Sequence, residues 1–593
     1  MKFLTFFSLF LLSLISKAQT SGGTMLTKAQ PITDYVEKAN PAATDAVLWN
    51  RTVKGSHIGW GSTNVRYQKE VPYSFSSGIT LEGWKGERVS AQFVVSNNSG
   101  DFSLSYEFSP LQHQQNKRRS IGKNRIDGGF VRYVMTDELN KDRKGACGYR
   151  KAKDYDSSLV ADPIDHLIPH LEVTDKTTQG VWMNIHIPQD AEPGTYSGTV
   201  TVKKNGKAVK KLPLQLRVIN HTLPPASEWN FHLDLWQNPY AVARYYNVRP
   251  WSTEHFEALK TEMQPYVQAG GKVITASIMH KPWGGQTYDY FESMVTWTKK
   301  LDGTWAFDFA VFDKWVQFMM DMGVNKQINC YSMVPWKLSF QYFDQATNSM
   351  QFISTEPGKK EYEEMWGAML RAFSKHLKEK GWFGKTYISM DERPLDTMLK
   401  TYEIIKKADK DFKVSLAGAL HEELIDKLDD YCVALRMKYK EEDIVRRRAE
   451  GKVTTFYTSC EEPFPNTFTF SNPAESEWMG WYAAKANLDG YLRWAYNSWV
   501  EQPLQDSRFR TWAAGDTYFT YPGGRSSVRF EKLAAGIQAY EKIRILRKFY
   551  RNKGDREGLK KIEAILSQFD EAKLTTAGAN IFTESASREL NKL

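Results

Sequence analysis

The sequence predicts an all-β sandwich, then a (β/α)8 barrel (a TIM barrel), and finally a short helical segment at the C-terminus. Three observations lead to this multi-domain fold. Short alternating strands separated by turn residues fill the first part of the 593-residue chain. From Trp229 onwards, eight strand-like runs alternate with helical runs over about 300 residues, which matches the size of such a barrel. Beyond the last of these strands only helical patterns remain.

Residues 1–18 have the pattern of a secretory signal peptide. Lys2 precedes an apolar run that continues to Ile15, and Ser16 and Ala18 are the small residues that a signal peptidase reads. The run is too short to span a membrane. We therefore expect export of the protein to the periplasm or beyond, without integral membrane contact.

Residues 19–225 make up the predicted β-sandwich. Apolar and polar residues alternate along much of three runs, at 88–95, 181–187 and 212–218. Asn205 and Gly206 give a hairpin signal between two strands. A proline-containing segment at 223–227 is the expected linker to the next domain.

Residues 226–525 make up the predicted barrel, and residues 526–593 the helical segment that packs on it. Amphipathic helical runs, such as 361–380 and 395–408, separate the strands, and further helices are expected at 528–549 and 558–569. The eight predicted barrel strands are 230–236, 273–279, 327–333, 386–391, 413–417, 431–436, 454–459 and 490–496.

Composition excludes several classes of function. The net charge is +10, but no basic stripe or recognisable nucleic-acid module is present, so we expect no nucleic-acid partner. No histidine–glutamate ligand pattern appears, and we expect no metal and no cofactor. The 19 Trp and 29 Tyr residues favour a sugar site, because an aromatic face packs on the apolar face of a pyranose.

The four cysteines are scattered and form no C-x-x-C pair. Cys330 and Cys432 lie within strand-like runs, which indicates small core residues. A chain of this size is not expected to depend on a disulfide framework, although its cysteines are compatible with one disulfide.

The most informative feature is a pair of adjacent carboxylates, Asp391 and Glu392, at the end of the fourth predicted barrel strand. Barrel enzymes carry their chemistry at the carboxyl ends of the strands. In most glycosidases two carboxyl groups flank the scissile bond, about 5 Å apart for retention or about 6.5–9.5 Å apart for inversion. An adjacent pair instead suits a mechanism in which the substrate supplies the nucleophile.

The first two predicted strands offer further polar side chains. Alternation directs His232, Asp234 and Trp236 towards the barrel interior. We interpret His232, the deepest of the three, as a structural hydrogen-bonding residue, and Asp234 and Trp236 as sugar contacts. His280, on a glycine-rich loop after the second strand, is either a sugar contact or an ordinary hydrogen-bonded loop residue.

Four segments of the chain resemble glycoside hydrolase family 123: residues 388–394, 231–236, 188–196 and 494–499. Members of that family are β-N-acetylgalactosaminidases with an N-terminal β-sandwich and a (β/α)8 barrel. The resemblance to Bacteroides members extends over almost the whole chain. It implies an exo-acting, retaining hydrolase in which the 2-acetamido oxygen of the sugar attacks its own anomeric carbon and forms an oxazoline-type intermediate.

The resemblance also implies roles for the acid pair. Glu392 matches the general acid and base, whereas Asp391 matches the residue that holds the acetamido N–H. Among the remaining candidates, Tyr457 is placed to donate to the acetamido carbonyl and Trp494 to form the floor under the sugar ring. Further contacts are expected from the rim: Tyr496, Asn497, Trp499 and, on the loop 515–525, Asp516 or Arg525.

The implied partner is a carbohydrate with a terminal β-linked N-acetylgalactosamine, on a glycosphingolipid-type glycan. Two alternatives stay open on the residues alone. The protein could be a β-N-acetylglucosaminidase or another barrel glycosidase, since the two N-acetyl sugars differ only at the 4-hydroxyl. It could also be a non-catalytic glycan-binding protein, which would use the aromatic residues but would not need the acids.

Overall fold

The computed structural model describes residues 30, 32–41, 46–137, 147–148, 157–509, 511–575 and 578–593. The predicted signal peptide, residues 1–18, lies outside the described residues. Helix α1 (Ala46–Arg51) comes before the first strand. The strands of the N-terminal domain are β1 (Gly55–Gly61), β2 (Ile79–Lys85), β3 (Arg88–Asn98), β4 (Phe102–Phe108), β5 (Leu111–His113), β6 (Ser120–Ile121), β7 (Ile126–Thr136), β8 (Ser158–Asp165), β9 (Leu171–Val173), β10 (Thr177–His186), β11 (Gly194–Lys204) and β12 (Lys207–Thr222).

These strands form two facing sheets. One has the order β1-β3-β10-β7-β8, and the other has β2-β12-β11-β4-β9 with β5 and β6 attached through β11. Apolar residues of both sheets, such as Phe93 and Val181 from one and Val200 and Leu216 from the other, form the core between them. The predicted alternation is clear in β12, where every second residue from Leu212 to Val218 is buried.

Alternation is weaker in β10, which is buried along nearly its whole length. The outer face of its sheet carries a second apolar cluster, in which Tyr133 and Trp182 contact Val528 of the following domain. The barrel side of the molecule therefore covers a face that an isolated sandwich would leave exposed to water.

The rest of the described chain alternates strands and helices. The strands are β13 (His232–Leu235), β14 (Val273–Ser277), β15 (Thr296–Lys299), β16 (Trp305–Asp308), β17 (Gln327–Tyr331), β18 (Ser339–Asp344), β19 (Ser349–Ser354), β20 (Thr386–Met390), β21 (Lys413–Gly418), β22 (Asp430–Ala434), β23 (Val453–Tyr457) and β24 (Gly490–Arg493). The helices are α2 (Pro239–Tyr246), α3 (Thr253–Gln268), α4 (Ala310–Asp321), α5 (Lys360–Glu379), α6 (Leu395–Ala408), α7 (Glu422–Ile425), α8 (Glu441–Ala449), α9 (Pro473–Lys485), α10 (Val528–Lys553), α11 (Arg556–Leu566) and α12 (Ala579–Leu590).

Eight parallel strands form the barrel in the order β13-β24-β23-β22-β21-β20-β17-β14. A bridge between Leu233 and Gly271 brings the first strand to the segment just before β14, so the barrel is nearly closed. Each of the eight predicted barrel strands is present, and the predicted fold is confirmed. The other four strands form a small sheet, β16-β15-β18-β19, inserted after the second and third barrel strands.

Buried ion pairs join the two domains. Asp162 and Asp165 of β8 are paired with Arg529 and Arg525, respectively, and all four side chains are almost completely buried. Because breaking such a pair leaves an uncompensated buried charge, these contacts favour one fixed arrangement of the domains. Among the described residues, no helix has both the length and the apolar character that a membrane crossing requires.

Candidate active site

A cavity of about 250 Å³ opens at the carboxyl ends of the barrel strands. Residues from β20, β21, β23 and β24, or from the loops that directly follow barrel strands, supply most of its wall, and one residue comes from the N-terminal domain. The lining residues are Cys147, Trp236, Trp283, Gln286, Trp336, Asp391, Glu392, Ala417, Tyr457, Ser459, Cys460, Glu461, Leu492, Trp494, Trp512 and Asp516.

The acid pair directly follows β20, a strand in which every residue is buried. The chain bends at Glu392, and Pro394 then precedes helix α6. Straight strand geometry would direct two adjacent side chains to opposite faces. The bend instead allows both carboxylates to line the same cavity.

Asp391 is the buried member of the pair, with 7% of its surface exposed. Its Oδ2 accepts a hydrogen bond from Trp336 Nε1 at 3.1 Å. Its Oδ1 lies 3.2 Å from Arg393 Nη2 without the alignment of a hydrogen bond, and it accepts none from the described residues. Burial raises the pKa of Asp391 to about 6, although the charge of Arg393 opposes this shift. One oxygen of this buried carboxylate is therefore ion-paired with Arg393 but lacks a hydrogen bond of regular geometry.

Glu392 is the exposed member of the pair. Its Oε1 accepts a hydrogen bond from the hydroxyl of Tyr457, which lies at the end of β23. Burial, together with the nearby charge of Glu392, raises the pKa of Tyr457, so this hydroxyl stays a donor. In the absence of substrate, Tyr457 thus orients the second acid instead of holding a free hydroxyl.

Aromatic rings form two groups in the cavity wall. Trp236 stacks on Trp283 with 5.0 Å between ring centroids, and the Tyr331 ring lies behind both. Trp494 meets Trp512 edge to face at 5.7 Å. Such rings offer apolar faces to the C–H face of a sugar ring.

Asp516 lies between these aromatic rings and a buried arginine. Its Oδ1 accepts hydrogen bonds from Arg493 Nη2 and from Trp494 Nε1, the latter at 3.1 Å. Its Oδ2 is buried and has no hydrogen-bond partner among the described residues. Asp516 is part of the cavity wall, and its Oδ2 is a buried acceptor without a protein donor.

Six predicted site residues therefore line one cavity: Asp391, Glu392, Tyr457, Trp494, Trp236 and Asp516. The other predicted contacts bond elsewhere. Asp234 lies inside the barrel, where its Oδ2 accepts from Asn329 at 3.2 Å. His280 Nδ1 pairs with Glu292 at 2.5 Å, which matches the reading of an ordinary loop histidine.

The rim residues after β24 also differ from expectation. Tyr496 donates to the carbonyl of Glu262, Asn497 makes hydrogen bonds with the backbone of Asn238, and Trp499 donates to the carbonyl of Thr520. All three are fully buried and outside the cavity lining, because the segment after Trp494 pairs with the loop 515–525 through a bridge between Asn497 and Tyr518. Arg525 is used in the interdomain ion pair with Asp165.

Sequence reasoning missed Trp336, Trp512 and the cysteines Cys147 and Cys460. Trp336 and Trp512 lie on loops after the third and eighth barrel strands, and that position combined with a tryptophan is the signal that could have found them. The structure pairs Cys147 with Cys460 in a disulfide, whereas Cys330 and Cys432 are free and buried as predicted.

A (β/α)8 barrel with acids and tryptophans at the carboxyl ends of its strands has the construction of a barrel glycoside hydrolase. Sequence comparison specifies which one. The family model described as glycoside hydrolase 123, catalytic domain, matches residues 236–546, and that of the glycoside hydrolase 123 N-terminal domain matches residues 60–204. The chain belongs to glycoside hydrolase family 123.

Among solved structures, one from the same family matches this chain over most of its length. A family 123 glycoside hydrolase from Clostridium perfringens, studied for glycolipid glycan hydrolysis, has 27% identity and a TM-score of 0.82 over 91% of this chain and 98% of its own. A family 39 glycoside hydrolase from Bacteroides cellulosilyticus WH2 has 10% identity and a TM-score of 0.32, over 79% of this chain and 82% of its own. No curated protein matches the sequence significantly.

Proposed function

We propose that this glycoside hydrolase is an exo-acting β-N-acetylgalactosaminidase that retains anomeric configuration through the 2-acetamido group of its substrate. The observation that carries the proposal is that the two adjacent acids have different surroundings. Asp391 is buried and has one oxygen without a regular hydrogen bond, whereas Glu392 is exposed and hydrogen-bonded to Tyr457. Two acids with one shared role would need similar surroundings, while a proton donor and an amide acceptor need different ones.

In the first step, the acetamido carbonyl oxygen attacks the anomeric carbon as the glycosidic bond breaks. Glu392 gives its proton to the leaving oxygen, and Oδ1 of Asp391 accepts the acetamido N–H, which stabilises the positive charge developing on that group. Because the nucleophile is tethered to the sugar, attack is intramolecular and avoids the entropy cost of an encounter.

In the second step, water opens the oxazoline ring at the anomeric carbon. The Glu392 carboxylate takes a proton from that water, and the acetamido group is released in its original form. Two successive inversions give net retention. Glu392 is exposed, as a residue that must meet both the leaving group and water has to be.

The size of the cavity supports action on a single terminal sugar. About 250 Å³ is small for a ligand pocket, and aromatic rings occupy several sides of its wall. Within it, Asp516 Oδ2 accepts a hydrogen bond from a sugar hydroxyl, because this oxygen, like Asp391 Oδ1, is a buried acceptor that lacks a protein donor. A hydroxyl contact of this kind is what can separate N-acetylgalactosamine from N-acetylglucosamine.

The natural substrate is a glycosphingolipid-type glycan. Support comes from the Clostridium perfringens relative, whose structural analysis concerns glycolipid glycan hydrolysis. Export by the N-terminal signal, to the periplasm or outside the cell, belongs to the same proposal, since such glycans are found outside the bacterial cytoplasm.

The test is a comparison of aryl β-N-acetylgalactosaminide, β-N-acetylglucosaminide and β-galactoside as substrates. We expect the first to be cleaved best and the galactoside hardly at all, because that sugar lacks the internal nucleophile. A galactoside cleaved at a comparable rate would rule out the acetamido mechanism. The first-formed anomer, observed by NMR, checks retention.

Two further measurements separate catalysis from binding. Glu392→Gln is expected to lower kcat by several orders of magnitude while sugar binding persists, and unchanged turnover would refute the assignment. A GalNAc-thiazoline, which mimics the cyclised intermediate, is expected to inhibit much more tightly than free N-acetylgalactosamine. Sugar binding by a wild-type protein without turnover on any substrate would favour the glycan-binding alternative.

A further inference from the structure

A disulfide joins the two domains at the wall of the active-site cavity. Cys147 lies in the connection between β7 and β8 of the sandwich, and Cys460 lies three residues beyond barrel strand β23. The two positions are 313 residues apart in sequence, yet both line the same cavity as Asp391 and Glu392. A crosslink whose only role was stability would not need to form part of the site.

On the barrel side, the disulfide holds a short loop that is otherwise fixed by its own polar groups. Glu462 accepts hydrogen bonds from Ser459 N at 2.8 Å and from Ser459 Oγ at 3.1 Å. Asn466 Nδ2 donates to the carbonyls of Ser459 and Glu462. Cys460 and Glu461 lie between these anchors, and both line the cavity.

On the sandwich side, the end of β7 is fixed to another part of the cavity wall. Met135 exchanges backbone hydrogen bonds with Gln505 and Ser507, at 2.9 and 2.8 Å. Asp137 Oδ1 accepts from Ala514 N at 3.1 Å. The barrel segment contacted in this way includes or adjoins Trp512 and Asp516, which also line the cavity.

We propose that the Cys147–Cys460 disulfide is a positioning element of the active site, which holds the wall formed by Cys460 and Glu461 against the sandwich domain and so fixes the width of the sugar pocket. This inference rests on the proposed function. The catalytic acids directly follow β20, whereas Cys460 follows a different barrel strand, β23. Opening the disulfide therefore weakens substrate binding and leaves the chemical step nearly unchanged.

After reduction we expect KM to rise about tenfold and kcat to stay within about threefold of the value for the oxidised enzyme. This pattern means that the substrate and the transition state lose similar amounts of binding free energy. A disulfide that only stabilised the fold would behave differently. Its loss would reduce the amount of folded enzyme, which lowers apparent kcat and leaves KM unchanged.

The experiment measures kcat and KM of the full chain on an aryl β-N-acetylgalactosaminide, before and after treatment with dithiothreitol. Each disulfide takes up two electrons and two protons to give two thiols, while dithiothreitol becomes its cyclic disulfide. Mass spectrometry after alkylation confirms the state of Cys147 and Cys460. Reoxidation of the same sample is expected to restore the original KM.

The double variant Cys147→Ser/Cys460→Ser is the matched control, because it lacks the disulfide but keeps Cys330 and Cys432. It is expected to show the high KM without reductant and no further change with reductant. If this variant does not fold, the reduced wild-type enzyme still gives the answer. A KM that stays the same after confirmed reduction, or a loss confined to kcat, would overturn the inference. Wild-type enzyme that is inactive while oxidised would refute the proposed function, and this inference with it.

Discussion

Asp391→Asn tests the division of roles within the acid pair. The substitution keeps the shape of the side chain but removes its negative charge. Asp391 is 7% exposed, so its charge acts on the substrate with little screening by water. Removing one such preorganised stabilising group costs about 10²–10³ in kcat, or roughly 3–4 kcal/mol. We therefore expect the Asn variant to lose activity in that range.

The pH dependence of kcat/KM shows whether the charged form of Asp391 is the active one. Burial raises the pKa of Asp391 to about 6, and the carboxylate is the form that stabilises a positive acetamido group. Wild-type kcat/KM should therefore fall about tenfold for each pH unit below about 6. In Asp391→Asn this acidic limb should be absent, because no proton is left to bind at that position.

Trp336→Phe is the companion variant. The Trp336 indole donates to Asp391 Oδ2 and favours its charged form, and its ring also packs under Arg393, with the guanidinium carbon 3.8 Å from the ring centroid. Phenylalanine keeps a ring there but removes the donor, so the acidic limb should move to higher pH. Initial rates on an aryl glycoside between about pH 4 and 8 measure all three enzymes. An Asn variant that kept the wild-type limb, or lost less than about tenfold in kcat, would refute the reasoning.

Three further predictions concern other parts of the molecule. Asp516→Asn is expected to lower kcat/KM for the N-acetylgalactosaminide by about 10- to 100-fold, the loss of one hydrogen bond to a charged group. Because it also leaves the buried Arg493 without its charge partner, the melting temperature should fall, and rates are compared well below that temperature. Gly480→Ala should destabilise the protein by about 1–3 kcal/mol in denaturant titration, because the new Cβ would lie 2.0 Å from the Gly536 carbonyl oxygen where α9 and α10 pack together. The control is Gly384→Ala, which has open space around it and should have little effect. Burial raises the pKa of Asp234 to about 7 in the folded protein. As the pH rises from about 4 to about 7, the acid ionises in the unfolded chain but not in the folded protein, so the free energy of unfolding falls. Asp234→Asn should remove up to roughly 4 kcal/mol of that pH dependence, and parallel pH–stability curves for the two proteins would contradict the prediction.

The sequence was informative where short-range pattern decides the structure. Strand β20 and the acids after it follow from an apolar run that ends in Asp391, Glu392 and a proline, and the structure has that strand at Thr386–Met390. The rim after β24 was harder, because Tyr496 and Trp499 carry the same residue types as a sugar site. Only the pairing of their segment with the loop 515–525 decides that they are buried. The pairing of Cys147 with Cys460 depends on domain docking, which no local pattern records.

The same difference between local and long-range structure explains how the site is built. Asp391 and Glu392, at the end of one strand, are both proposed catalytic groups. The bend of the chain at Glu392 leaves Asp391 buried and Glu392 exposed to solvent. The rest of the cavity wall, in contrast, comes from distant parts of the chain, including Trp236, Asp516 and the disulfide at Cys460, and we propose that these groups determine substrate fit. Changes in the long-range set can therefore alter which glycan is accepted while the chemistry on β20 is preserved. On this reasoning, variants of the wall should act mainly on KM, whereas variants of the acid pair should act mainly on kcat.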